Sequence, residues 1–280
     1  MNPSKTNQKI IAFFGLLVIC LLIISATPVE KKPQKIKAPK NFALIPEGSL
    51  KYSSRNNVPG NLEYLKNIAH INEYYLQKTE TTNAQYKEFL NDLLKQGKTK
   101  DFEIAKIKKE YWKDYNLSGY ENYENLNDYP VVNISKEGAE LYCKWLQNKM
   151  NNDNKNKLAY EYEVRLPTFI EWLYAARNGD KTIIFPWEGP YAHNAKGAYL
   201  AQFRAIGLPI GPVKVTSFYP NKLGLYTMAG NVAEMVADSN VTLGGSWNSW
   251  EVYIQLWDTE PCKICPTMGF RPLLNIKKNE

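Results

Sequence analysis

Hydrophobic residues recur at helical spacing in several segments of the chain. In residues 83–96 an apolar or aromatic side chain returns every three to four positions, which predicts an amphipathic helix. The polar residues 81–83 offer its N-cap. A second helix is predicted to start after Ser135 and to run through Leu146, because the same spacing continues over that stretch.

A third helical segment carries its own start signal. Thr168 and Glu171 have the Thr-x-x-Glu spacing of a capping box, so residues 168–177 are predicted to be helical. Both side chains then have a structural role, which we favour over a catalytic one. Elsewhere short apolar runs alternate with long turn-rich stretches. The predicted fold class is therefore α+β, as one loop-rich domain over residues 41–275.

The N-terminal pattern differs from that of the domain. Lys5 and Lys9 precede residues 10–26, which carry no charge. Such a segment fits a short membrane anchor or the apolar region of a signal peptide. Positive charge ahead of it keeps that end in the cytoplasm, so either reading exports the domain to the periplasm or cell exterior. Cys20 is not expected to be lipidated, since a lipobox needs a small residue where isoleucine precedes it.

The net charge of +7 suggests nucleic acid at first sight, but its distribution argues otherwise. After the signal anchor or signal peptide of residues 1–27, lysines crowd a Pro/Lys linker at 28–40. Further lysines occupy a polar tail at 276–280. Much of the positive excess therefore lies in tails, and no nucleic-acid partner is expected. Membrane contact is expected through residues 10–26.

Three cysteines follow the N-terminal segment. Cys262 and Cys265 form a C-x-x-C pair, and in an exported chain the favoured interpretation is a local disulfide. A zinc site and free thiols stay open as alternatives; zinc would need two more ligands, and the chain has only two histidines. Cys143 lies in an apolar helical stripe and is expected to be a buried structural cysteine.

Glycine-rich residues 224–234 are the most informative stretch. Glycines there alternate with apolar residues and one carboxylate, and a Gly-Gly-Ser-Trp block follows at 244–247. Glycine permits positive φ and close backbone approach. Inward carbonyls beside one carboxylate suit a hard cation such as Ca²⁺.

This stretch resembles the C-terminal signature of the formylglycine-generating enzyme (sulfatase-modifying factor) family, and further blocks occur in the family's order. The family's active members are copper-dependent oxidases that convert a sulfatase cysteine to formylglycine. The resemblance implies an irregular C-type-lectin-like fold. The other blocks are residues 42–49, 75–86, 129–135, 139–146, 165–168, 171–172, 174–177, 185–187 and 269–271.

The resemblance does not carry over the oxidase chemistry. Active members hold Cu(I) between two cysteines, a soft metal between soft ligands. One stands three residues after the serine of the Gly-Gly-Ser block and the other five residues later. Ser249 and Ile254 occupy those positions here, so no copper and no catalytic residue are predicted. An oxidase with relocated thiols at Cys262 and Cys265 is the alternative.

Calcium is the cofactor that the resemblance favours. One family site carries over onto the Thr227 and Glu234 side chains and the Gly230 and Val232 carbonyls, with Thr227 replacing the family's asparagine. A second family site matches residues 201–211, which contain no carboxylate, so that site is expected to be lost.

The sequence therefore predicts an exported, membrane-tethered, non-catalytic domain that acts as a structural or binding component of a bacterial envelope. The analogy is to gliding-motility and type IX secretion lipoproteins, and the partner is an envelope protein or glycan. A carbohydrate- or peptide-binding module using aromatics near Trp247, Trp250 and Trp257 is a further alternative.

Overall fold

The structure is a computed structural model that describes residues 39–52, 67–115, 122–154, 159–179, 183–256 and 259–279. Ala38–Glu280 forms one compact unit. Residues 10–26, residues 28–38 of the Pro/Lys linker and Trp257 fall outside the described ranges, so the predictions made for them are untested. Among the described residues, no helix combines the length and apolarity needed to cross a membrane.

Within these ranges the chain forms four α-helices, and the three predicted ones are among them. Thr82 caps the first helix and Gln85 completes a capping box, while Thr168 and Glu171 form the predicted box on the last. The helices are α1 (Asn83–Lys95), α2 (Thr99–Ala105), α3 (Lys136–Asp153) and α4 (Phe169–Ala176). Three 3₁₀ helices occupy Lys109–Tyr115, Tyr123–Asn125 and Glu251–Ile254.

Helix α3 extends beyond the predicted end at Leu146, through Asp153. Its last turns carry polar side chains that bind the backbone of a neighbouring strand. Gln147 accepts a hydrogen bond from the Val164 N–H at 3.0 Å, and Asn151 bonds both the N–H and the carbonyl of Tyr162 at 2.8 Å. These tertiary bonds stabilise a sequence that has weak helical periodicity by itself.

The strands are short, as predicted. They are β1 (Phe42–Ile45), β2 (Gly48–Tyr52), β3 (Asn67–Ile71), β4 (Tyr74–Gln77), β5 (Tyr160–Arg165), β6 (Ala233–Met235), β7 (Val241–Leu243), β8 (Thr259–Pro261), β9 (Met268–Gly269) and β10 (Leu273–Lys278). An antiparallel sheet has the order β1-β4-β10-β5, and β2 pairs with β3. A further sheet has the order β8-β7-β6-β9, in which β6 and β9 run parallel.

The first sheet separates two hydrophobic cores. Alternate residues of a strand point to opposite faces, and in β1 Phe42 joins one core while Ile45 joins the other. One core packs α1 and α3 on the sheet through stacked and edge-on rings, including Tyr86 over Tyr142 at 5.7 Å. The other is centred on Trp172 of α4. The glycine-rich stretch meets this second core, and that contact positions the candidate site.

Candidate functional site

The glycine-rich stretch leads into β6 through a backbone with left-handed turns. Thr227, Gly230 and Asn231 have φ values of 51°, 74° and 61°. Two observations require glycine at position 230. Its φ is positive, and a Cβ there would lie 2.2 Å from the Gln202 carbonyl oxygen. Positive φ in a β-branched residue such as Thr227 is strained, so its surroundings must hold it in place.

Glu234 and Arg271 form a buried ion pair at the end of that stretch. Their side chains are 1% and 0% exposed. Arg271 donates Nε to Glu234 Oε2 at 2.7 Å and Nη2 to Oε1 at 2.6 Å, a two-pronged contact that fits the guanidinium. Trp172 Nε1 also donates to Glu234 Oε2, at 2.7 Å. Both carboxylate oxygens therefore accept hydrogen bonds from side chains.

The remaining donors of Arg271 join distant segments. Nη1 donates to the carbonyls of Gln77 and Lys78 at 3.2 Å, and Nη2 donates to the Tyr226 carbonyl at 2.8 Å. A single guanidinium thus ties the end of β4, the glycine-rich stretch and β6 together. Loss of this side chain would leave several buried acceptors without donors, which is costly.

Glu80 is a second buried carboxyl beside this pair. It accepts hydrogen bonds from the Thr227 hydroxyl and, at 3.0 Å, from Asn231 Nδ2. Burial raises the pKa of Glu80 to about 8; Arg271 opposes the rise and Glu234 adds to it. The raised pKa favours the neutral form of Glu80 beside the Glu234–Arg271 ion pair.

These contacts bear directly on the predicted calcium site. The Thr227 hydroxyl faces Glu80, and both Glu234 oxygens face Arg271 or Trp172. A cation at Glu234 would compete with the guanidinium that already neutralises this carboxylate. Protein groups therefore engage both side-chain oxygens of the predicted set, and the calcium site stays a prediction. Among the described residues, no group of three or more His, Cys, Asp or Glu side chains could hold a metal.

The second family calcium position is occupied by an internal amide contact. Gln202 is fully buried, and its Nε2 donates to the Pro209 carbonyl at 2.6 Å and to the Gly211 carbonyl at 2.9 Å. The side chain therefore holds the loop at 205–211 through carbonyl oxygens, the atoms that a hard cation would otherwise bind.

The two positions of the family's copper cysteines have different environments here. Ser249 is almost wholly buried; its hydroxyl lies 3.1 Å from that of Ser246 and donates to Glu260 Oε1 at 3.1 Å. Ile254 is buried in a hydrophobic core. Neither side chain offers a sulfur ligand, so the copper site of the active oxidases is not formed by these residues.

The remaining cysteines are free thiols in this structure. The predicted Cys262–Cys265 disulfide is therefore not formed, and oxidation of the pair stays a prediction for solution chemistry. Cys265 is buried, with its sulfur 3.1 Å from Thr267 Oγ1. Burial raises the pKa of the Cys262 thiol, which disfavours the thiolate that metals and disulfide exchange require. Cys143 is buried as predicted.

Two of the aromatic residues suggested for ligand binding, Trp247 and Trp250, lie beside the same groove but differ in exposure. Trp247 is 3% exposed, and its Nε1 donates to the Pro266 carbonyl at 3.0 Å, so it is mainly a core residue. Trp250 is 56% exposed. Glu80 and Arg271 were missed as site residues, although both lie in family blocks. The available signal was a charged residue within an apolar run, as at Arg271 between Phe270 and Pro272.

Comparison with known proteins identifies the family of this chain. A family model described as "Sulfatase-modifying factor enzyme 1-like domain" matches residues 26–276. A Bos taurus formylglycine-generating enzyme is 24% identical over 202 residues, covering 60% of this chain and 49% of the relative. The Bos taurus "Inactive C-alpha-formylglycine-generating enzyme 2" is 30% identical over 154 residues, covering 50% and 46%. The chain thus spans about half the length of these curated relatives.

Solved structures bear on the fold alone. PvdO from Pseudomonas aeruginosa superposes with a TM-score of 0.60 at 18% identity, covering 88% of this chain and 99% of that one. The predicted α+β, formylglycine-generating-enzyme-like fold is thereby confirmed.

Proposed function

The chain belongs to the sulfatase-modifying factor enzyme 1-like family, and from that premise we propose that it is a non-catalytic structural or binding component of a bacterial envelope. The observation that carries the proposal is the state of the copper positions. Ser249 is hydrogen-bonded to Glu260, and Ile254 is core. A similar relative whose name includes "Inactive" supports the same direction.

Retention of the charged cluster is compatible with loss of catalysis. The hydrogen bonds of this cluster stay within the protein. Arg271 bonds Glu234 and the Tyr226 carbonyl, and Glu80 bonds two neighbouring side chains. Such residues hold loops in place whether or not a reaction occurs nearby. The domain can therefore keep its fold while lacking the metal chemistry of the active oxidases.

Assay of aldehyde formation tests the non-catalytic proposal. The detergent-solubilised full chain is incubated with Cu(I), oxygen and a Cys-x-Pro-x-Arg peptide, and the peptide is examined by mass spectrometry. We expect no aldehyde above a copper-only control. Turnover would overturn the proposal. Its loss in Cys262→Ser or Cys265→Ser, with retention in Cys143→Ser, would then support the relocated-thiol oxidase.

Location in the envelope is the second part of the proposal. It rests on the uncharged segment at 10–26 behind Lys5 and Lys9. Gliding motility and type IX secretion are the settings that the resemblance suggests. Intact spheroplasts are treated with protease, and the thiols are alkylated before and after reduction. We expect the domain to be digested; protection would contradict export. Alkylation without reductant would show that Cys262 and Cys265 are unpaired in the cell.

A further inference from the structure

The loop that follows Gln202 presents large apolar side chains to solvent. Ile206 is 96% and Ile210 70% exposed, and Trp250 lies beside them in one groove of about 360 Å³. Phe203 and Trp247 form its buried floor. Isolated exposed apolar residues are ordinary, but several that share a groove mark an interaction site.

This loop is held in its exposed form from beneath. Gln202 bonds the Pro209 and Gly211 carbonyls, the Leu208 N–H donates to the Ala205 carbonyl at 3.3 Å, and the Tyr199 hydroxyl donates to the Ile206 carbonyl at 3.3 Å. The side chains of Ile206 and Ile210 are therefore displayed by an ordered backbone. Pre-organisation of this kind lowers the entropy cost of binding.

The polar groups of the groove indicate the ligand's charge. The Arg204 guanidinium lies over the Trp250 ring at 4.6 Å. Besides Arg204, the polar side chain on the groove is that of Asn248, and none of the described lining residues carries a carboxylate. A glycan needs several side-chain hydrogen-bonding groups, which these residues do not supply. An apolar peptide with one acidic group matches both the surface and the charge.

We propose that this groove binds an apolar protein segment carrying a carboxylate, with Ile206, Ile210 and Trp250 contacting the apolar side chains and Arg204 the acid. The proposal rests on the proposed function, because it identifies the chemistry of the envelope partner. Trp and Arg are enriched among residues that dominate binding energy, which places Arg204 and Trp250 at the centre of the contact.

The test uses the detergent-solubilised full chain and a phage-displayed library of random linear dodecapeptides. We expect enriched sequences that combine large apolar residues with Asp or Glu. Affinity for a synthetic peptide from that set should fall at least about tenfold in Ile206→Ser and in Trp250→Ala. Arg204→Gln should weaken the acidic peptide but leave its Glu→Gln counterpart unchanged. The matched control is Tyr219→Ser, an exposed aromatic residue lining a different cavity.

Three outcomes would overturn the proposal. They are no enrichment, enrichment that Ile206→Ser and Trp250→Ala leave unchanged, and selection of peptides without acidic residues. Lipid vesicles of neutral and anionic composition are run in parallel; vesicle binding lost in Ile206→Ser, without peptide binding, would assign the loop to a membrane instead. Aldehyde formation on the Cys-x-Pro-x-Arg peptide would overturn the proposed non-catalytic function. It would not change the result for the groove, because peptide binding there is measured independently.

Discussion

The cluster around Arg271 and the cluster around Ser249 lie at two hallmark positions of the same family, yet they differ in chemistry. Arg271, Glu234 and Glu80 keep buried ionisable groups. Arg271 bonds Glu234, and Glu80 beside them bonds Thr227 and Asn231. Ser249 and Ile254 place a hydroxyl and an alkyl group where active members have thiols.

The difference shows that the family's fold does not depend on its metal chemistry. The turn that carries the copper positions is held by backbone bonds: Gly230 N donates to the Gly244 carbonyl and Trp247 N to the Asn231 carbonyl, both at 2.8 Å. These bonds involve no metal ligand. The Ser249 hydroxyl also accepts a hydrogen bond from the Ser246 N–H at 3.0 Å, so a hydroxyl at 249 helps to hold the turn without a metal. The bonds of Arg271 are side-chain bonds, and a substitution there removes them all.

Removal of the Arg271 guanidinium should lower the free energy of unfolding more than any other substitution in the two clusters. Arg271→Met leaves Glu234 buried without its counter-ion, and loss of one partner of a buried pair costs about 3–5 kcal/mol. The free energy of unfolding in urea measures the effect. The matched control is Arg204→Met at an exposed arginine, where a change within about 0.5 kcal/mol is expected. Equal effects in the two variants would mean that the buried cluster does not hold the fold.

The Glu80 carboxyl should make the stability of the protein depend on pH. Its folded pKa of about 8 lies above that of an unfolded Glu, about 4.3. Between those values the unfolded chain releases a proton that the folded protein keeps, so stability falls as pH rises through this window and levels off above it. Glu80→Gln should match the parent near pH 4 and exceed it at pH 8, by an amount on the order of a few kcal/mol. Parallel pH curves for the two proteins would contradict a buried neutral carboxyl.

Thr227 tests the strained backbone beside Glu80. Asparagine tolerates a left-handed φ better than a β-branched residue and can still donate to Glu80, so Thr227→Asn should raise stability by about 1 kcal/mol. Thr227→Val keeps the branched shape but removes the donor, and should lower stability by about 1–3 kcal/mol. The melting temperatures of the parent and of the two Thr227 variants measure these effects. A less stable Asn variant would show that the hydroxyl, rather than the backbone, sets the preference.

Ser249 should show the smallest loss of stability. Ser249→Ala removes hydrogen bonds to Ser246 and to Glu260 Oε1, but it leaves no fully buried ion without its counter-ion, so a cost of about 1–2 kcal/mol is expected. Urea unfolding of this variant beside Arg271→Met compares the two regions directly. If Ser249→Ala lowered the free energy of unfolding as much as Arg271→Met, the Ser249 cluster would hold the fold as strongly as the Arg271 cluster, which would contradict the difference drawn between them.

Local signals in the sequence predicted three of the four described helices, and α2 was not predicted. The N-cap of α1 is Thr82, within the residues 81–83 expected to supply it, and Thr168 caps α4 as predicted. The longer course of α3 was not predictable, because Gln147 and Asn151 act through hydrogen bonds to the next strand, β5, which form only once that strand packs against the helix. Short-range patterns predicted where these helices start, whereas the end of α3 depends on tertiary contacts.

The site was only partly predictable for a related reason. Glu234 was identified from its place in a motif, but its role depends on Arg271, 37 residues later, and on Trp172 in another helix. Thr227 was taken as a metal ligand, and the hydroxyl instead contacts Glu80, 147 positions away. A motif gives residue types, while the partner that uses each hydrogen bond is set by the fold.

Calcium dependence tests most directly whether the cluster is neutralised by its own residues. The melting temperature of the full chain is measured in millimolar CaCl₂ and in chelator, with Glu234→Gln as the comparison variant. A cation that binds only the folded state would add about 2.7 kcal/mol at 100 times its Kd. Because Arg271 already occupies both oxygens of Glu234, we expect the same melting temperature in both solutions. A rise with Ca²⁺ in the parent that is lost in Glu234→Gln would contradict this account and establish the metal site predicted from the sequence.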